Sequence, residues 1–120
     1  MKANKNNKNR VSVATASARN ARVAPRKARL VVDLIRGMNV PQALAILEHT
    51  IRRSNPIMLD LLKSAVANAM EKDNKINPDE LFITEARVDQ ARSLKRMRAR
   101  AMGRGCLIVK KSSHIILAVG

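Results

Sequence analysis

Along this chain the spacing of apolar positions changes period twice, and each change marks a boundary between elements. Over residues 13–23 small apolar residues alternate with polar or basic ones, Ala14, Ala16 and Ala18 against Thr15, Ser17 and Arg19. A period of two predicts a strand with one buried face, here an edge strand whose outer face is basic. The next stretch, APRKARLVVDLIRG, shifts to helical spacing, with Ala28, Val31, Leu34 and Ile35 on one face. Pro25 suits the first helical turn, where its missing N–H costs nothing, and Gly37 suits the position just past the end. A second short helix is predicted from Asn39 or Val40, with Pro41, to near Thr50; Leu44, Ile46 and Leu47 are its apolar content. A third opens at Ser54 or Asn55 with Pro56. Met58, Leu61, Leu62, Ala65, Val66 and Ala69 then keep the i, i+3, i+4, i+7 rule, with Asp60 and Lys72 matching the helix macrodipole. This helix is the predicted spine of the core.

After DNKINPDE the period returns to two. Residues 81–89 read as a strand, and so do residues 107–119, through Ile108, Ile115, Leu117 and Val119. The segment between them, ARSLKRMRARAMGRG, fits neither the core nor a helix. Residues 92–104 hold six Lys or Arg, no acid, and only Leu94, Met97 and Met102 as sizeable apolar groups. Gly103 and Gly105 supply freedom for a turn or bulge. Such a segment cannot bury itself in a small domain, yet it joins two strands that should pair. A hairpin satisfies both demands, with its base in the sheet and its far half projecting as an arm over about residues 89–107. Eight or nine residues a side would reach roughly 25–30 Å from the body. An isolated two-stranded ribbon is marginal in water, so the arm is expected to be mobile when free and ordered when bound. The predicted architecture is α+β: three helices packed on a small antiparallel sheet with a long protruding β-hairpin. It forms a single domain over residues 14–120, behind a basic disordered tail over residues 1–13.

Charge sharpens this picture. All nine acidic residues lie between Asp33 and Asp89. Residues 1–32, 33–89 and 90–120 carry net charges of +9, −2 and +8, which make up the total of +15. A near-neutral body thus bears two cationic extensions, which repel each other unless a polyanion neutralises them. Nucleic acid is that polyanion. Phe82 is the only aromatic residue, so bases cannot be stacked on an aromatic platform. Binding has to rest on phosphate contacts, arginine packing and shape. The candidate contacts are Arg19, Arg22, Arg26, Lys27 and Arg29 at the first flank, and Arg92, Lys95, Arg96, Arg98, Arg100, Arg104, Lys110 and Lys111 at the second. Arginine outnumbers lysine in the arm, which favours bidentate phosphate recognition. Arg26, Lys27 and Arg29 crowd the start of a helix, where the dipole disfavours cations, so they are expected to answer to a partner.

Other chemistry is poorly supplied. His49 and His114 stand alone, no Gly-rich phosphate loop occurs, and no metal site or cofactor motif is visible. Asp33 reads as a solvated or Arg-paired carboxylate, and His114 as a hydrogen-bonded structural histidine with an RNA contact as the alternative. Cys106, the single cysteine, reads as a small apolar filler at the root of the arm and fits a reducing compartment. Apolar runs fall short of a membrane span, and MKANKNNKNR leads into no apolar stretch of the kind a secretory signal needs. Two binding classes remain open on these grounds: structural RNA binding, and architectural DNA binding by a basic β-arm in the minor groove. The arm lacks the tip proline expected of a DNA wedge, and Met97 would replace it poorly. A nuclease would need a carboxylate in the basic region, and residues 90–120 contain none.

The stretch APRKARLVVDLIRG, followed in order by ALAIL, SAVANA, LKR, RARAMGRG and SSHI, resembles a bacterial family of large-subunit ribosomal proteins, the protein twenty-two family. The resemblance spans nearly residues 14–119. It implies a small α+β body near the exit of the nascent-peptide tunnel and a long β-hairpin threaded through large-subunit ribosomal RNA to the tunnel wall. It further implies an assembly protein, not an enzyme, with no small-molecule substrate. Its partners would be ribosomal RNA, neighbouring large-subunit proteins and the nascent peptide. The implied compartment is the cytoplasm, with an organelle ribosome as the alternative. Carried onto this chain, the hairpin tip comprises residues 93–104, with Ser93, Leu94, Lys95, Arg96, Met97 and Arg98 at the wall. The chain departs from the family's usual Gly-Pro at Ala91-Arg92, its Pro at Ala99 and its Ala at Gly105.

Overall fold

The computed structural model describes residues 11–120, so most of the expected tail lies outside the described residues. The elements are β1 (Ala14–Ala21), α1 (Pro25–Ile35), α2 (Val40–His49), α3 (Asn55–Lys72), β2 (Ile83–Gln90), β3 (Leu94–Ala99), β4 (Gly105–Lys110) and β5 (Ser113–Val119). Strands β1, β5 and β2 form an antiparallel sheet in that order, while β3 and β4 form a separate two-stranded ribbon. Helices α1 and α3 pack on the sheet and α2 packs against α3, which is the expected α+β arrangement.

Alternation decides which face of the sheet is covered. Ala14 and Ala16 of β1, Ala86 and Val88 of β2, and Ile115, Leu117 and Val119 of β5 all point into the core. There they meet Met58, Leu62, Ala65 and Ala69 of α3, all fully buried. Helix α1 adds Ala28, Val31, Val32 and Ile35. Leu34, expected on that face, is half-exposed instead, and Val32 takes its place. At 100° per residue Leu34 lies about 120° around the helix from Ala28, whereas Val32 lies only about 40° away. Gly37 ends α1 at φ 73°, the left-handed conformation that closes a helix at low cost when the residue is glycine.

Both edges of the three-stranded sheet are covered by helix side chains. On β2, Arg36 Nη2 donates to the Ala86 carbonyl at 3.0 Å, and Arg29 donates to the Val88 carbonyl through Nε at 3.2 Å and Nη2 at 3.1 Å. On β1, α3 supplies Asn68 Nδ2 to the Thr15 carbonyl at 3.3 Å and Lys72 Nζ to the Val13 carbonyl at 2.9 Å. Backbone groups that would otherwise face water or a stray strand are thereby engaged.

Residues 107–119 do not form one strand. Ala91 N–H still donates to the Ser112 carbonyl at 3.0 Å, but the next cross-strand pair is Leu94 with Lys110. Arg92 and Ser93 therefore stand opposite Lys111 alone. This β-bulge separates the ribbon from the sheet and reverses which side chains face which way. Beyond it the ribbon runs for six residue pairs, and the longest dimension of the molecule, 65 Å, is more than twice the other two, 30 and 25 Å.

Candidate nucleic-acid interface

The arm turns at residues 100–104, where Arg100 N–H donates to the Arg104 carbonyl at 2.7 Å. Met102 and Gly103 adopt φ values of 57° and 68°, and the Met102 side chain is 93% exposed at the extremity. The expected tip is thereby corrected. Ser93 sits in the bulge at the root, and Leu94, Lys95, Arg96, Met97 and Arg98 climb the first strand. The positive φ needed to reverse the chain falls on the Met-Gly pair, which explains the shift of the turn toward residue 102. Cys106 is also relocated. It pairs with Arg98 one step from the turn and is exposed, so it is neither at the root nor a filler.

Pairing sorts the arm into two faces. One carries Arg96 and Arg98 with Leu94, Ile108, Cys106 and Lys110. The other carries Lys95, Met97 and Ala99 against Val109, Leu107 and Gly105. Met97 is 72% exposed and leans toward Gly105, where an added Cβ would come within 2.8 Å of its Cε. Arg100 and Arg104 flank the turn. No acidic residue occurs anywhere on the arm, and its guanidinium and ammonium groups form no ion pair. The ion pairs among the described residues are Arg36–Asp33 on α1 and Arg87 with Glu85 and Asp89 on β2, all inside the near-neutral window. Asp33 is thus Arg-paired, as read from the sequence.

The remaining candidates divide into two neighbourhoods and one exception. Arg19 and Arg92 lie around a shallow hollow on the outer face of the sheet, together with Ser17, Asp89 and His114. There β1 bulges, placing Arg19 and Asn20 opposite His114, and Asn20 N–H donates to His114 Nδ1 at 3.1 Å. The proton of the neutral ring then sits on Nε2, and the histidine is hydrogen-bonded as expected. Arg22, Lys27, Lys110 and Lys111 line a second, larger cleft. Arg26 is exposed on the first turn of α1 with no hydrogen-bond or ion-pair partner among the described residues. Arg29 is the exception. Its guanidinium is committed to the Val88 carbonyl, so the conflict between helix dipole and cation is met at this residue from within the fold.

Two cations in the cleft, Arg52 and Arg53, were missed by sequence reasoning. They sit inside the acid-bearing window, so the charge split hid them. The signal that could have found them is the pairing of two arginines with the unprotected Ile51 in the short connection between helices. Among the described residues no group of three His, Cys, Asp or Glu is placed to hold a metal ion, and no helix is long and apolar enough to cross a membrane.

Residues 16–120 match the family model described as ribosomal protein L22p/L17e, which takes in the sheet, the helices and the arm. The chain belongs to that family. It is 50% identical to the large ribosomal subunit protein uL22 of Lactobacillus helveticus over 109 residues, 91% of this chain and 92% of the relative. The protein of the same name from Oceanobacillus iheyensis is 51% identical over 106 residues, 88% and 93% of the two chains. That from Lactobacillus delbrueckii subsp. bulgaricus is 49% identical over 109 residues. As a member of this family the chain is a structural component of the large ribosomal subunit, not an enzyme.

Proposed function

We propose that the chain binds and organises large-subunit ribosomal RNA during assembly, and that its basic hairpin reaches the wall of the nascent-peptide exit tunnel. The observation that carries this reading is the arm itself. Eight exposed Lys or Arg, unaccompanied by acid, stand on or beside a ribbon that buries almost nothing of its own. A ribbon of this kind gains order from the surface it enters, and a cleft between RNA helices offers phosphates to both of its faces. Neighbouring large-subunit proteins would meet the body, and the nascent peptide would pass the turn at residues 100–104. Arg96 and Arg98 would then contact RNA along the shaft. The setting is the large ribosomal subunit of the cytoplasm, and no cofactor or small-molecule substrate is required.

Binding to a bacterial large-subunit ribosomal RNA transcript tests the reading through its salt dependence. Contacts to 6–10 phosphates predict an affinity loss of about 10³–10⁵ between 50 and 200 mM salt. Replacing Arg96, Arg98 and Arg100 together by Ala is expected to lower the log–log salt slope by about two. A wild-type slope near zero would refute RNA anchoring by charge.

A further inference from the structure

The larger basic cleft is built from three stretches of chain that are far apart in sequence. Arg22 comes from the turn just past β1, Lys27 from α1, Arg52 and Arg53 from the α2–α3 connection, and Lys110 and Lys111 from the root of the arm. The opening has a volume of about 820 Å³. No acid lines it, and none of the six cations has an ion-pair partner among the described residues. Ile51, Arg52 and Arg53 also border an adjoining hollow that holds Glu48 and Asp60, yet neither carboxylate pairs with the two arginines.

That connection is held firmly. Asn55, buried at the start of α3, donates through Nδ2 to the Leu47 and Thr50 carbonyls, and Thr50 Oγ1 donates to the Ile46 carbonyl at 2.7 Å. Asn55 N–H closes the turn on the Arg52 carbonyl at 3.1 Å. The turn presents Ile51 at 98% exposure, across the cleft from Leu30 at 62%. A β-branched apolar side chain that a rigid turn holds in water, between two arginines, gains free energy when it meets an apolar surface. Within a ring of cations, the surface that combines negative charge with an apolar face is a nucleotide: phosphate outside, base inside.

We infer that this cleft, on the body and the root of the arm, is a second RNA site, which grips the backbone of an RNA strand through its six cations and packs one unpaired base against Ile51 and Leu30. A paired base would present only its edge, so the occupant is a bulged or junction nucleotide. The site rests on the RNA-binding function proposed above, and it explains why Arg52 and Arg53 stand free within the near-neutral body.

Three variants measured against a bacterial large-subunit ribosomal RNA transcript test it. Arg52→Ala/Arg53→Ala is expected to lower the salt slope by about 1.4, the single-strand value for two phosphates. Ile51→Ala is expected to weaken binding about fivefold or more at every salt concentration and leave the slope unchanged. Because the Ile51, Arg52 and Arg53 side chains are exposed and make no hydrogen bond or ion pair among the described residues, both proteins should melt like the wild type. Ile51→Cys, in a Cys106→Ser background and carrying a short photoreactive maleimide, is expected to crosslink to an unpaired nucleotide in assembled large subunits. Crosslinks to a protein chain, or to paired nucleotides only, would overturn the site. So would a salt slope that Arg52→Ala/Arg53→Ala leaves intact while the arm variant lowers it. A flat wild-type slope would instead remove the RNA reading altogether.

Discussion

Arg26 and Arg29 lie within one turn of α1, and the structure gives them opposite work, which a pair of Met substitutions can separate. Met keeps most of the aliphatic stem and removes only the donors. Arg29 directs two N–H groups at a single acceptor, the Val88 carbonyl on the outer side of β2. A hydrogen bond from a charged donor contributes about 1.5–3 kcal/mol when buried. Because this side chain is largely exposed, water competes for both partners, and about 1 kcal/mol is the expected loss. For a domain of this size, 1 kcal/mol corresponds to roughly 3–5 °C in Tm. Arg29→Met should therefore melt a few degrees early in a circular-dichroism scan and bind ribosomal RNA with an unchanged salt slope. Arg26→Met should melt with the wild type and lose about 0.7–0.9 from the slope, the contribution of one phosphate. The same Tm for both variants, with equal loss of slope, would show that the edge of β2 does not depend on α1 and that Arg29 belongs to the RNA interface.

Asn55→Ala removes the donor that serves the Leu47 and Thr50 carbonyls, both at the C-terminal end of α2. Urea denaturation should show a loss of about 1–3 kcal/mol, and a loss below 0.5 kcal/mol would mean that water replaces the amide freely. Gly103→Ala forces a Cβ onto a residue at φ 68° with open space around it, so the strain is purely conformational, about 1 kcal/mol. Amide exchange at Arg100 should then accelerate about fivefold while the melting of the body stays put. A lower Tm for the whole domain would show that arm and body unfold as one unit.

Helix positions and the core were legible because α3 and the buried positions of β1 and β5 follow their periods, with Val66 alone of the predicted α3 face only partly buried. Where reading failed, a local competitor was at work. Leu34 sat within a plausible apolar stripe, but the stripe was centred closer to Val32 than residue type alone suggests. The run from residue 107 to 119 concealed a bulge, because a bulge adds one residue without altering composition. The same extra residue, together with the positive φ at Met102 and Gly103, moved the turn of the arm beyond the motif that suggested its tip. Charge segregation picked out the two flanks but could not show that Arg29 is tied to the Val88 carbonyl or that Arg52 and Arg53 line the same cleft as Lys110 and Lys111. Those facts depend on which segments meet in space.

With α1 and α3 closing both margins of the body sheet, the ribbon of β3 and β4 is left as the stretch of pairing surface open to other chains. Two free copies could in principle zip their arms together, edge to edge. The arginines and lysines spaced along those edges hold such copies apart by repulsion, as charged residues do on exposed strands generally. A polyanion withdraws that protection as it binds. Mixed at low ionic strength with RNA that offers no fitted groove, the chain would thus be most prone to clump when its charge is neutralised before its edges are enclosed. For a protein of this shape, neutralisation and enclosure have to arrive together.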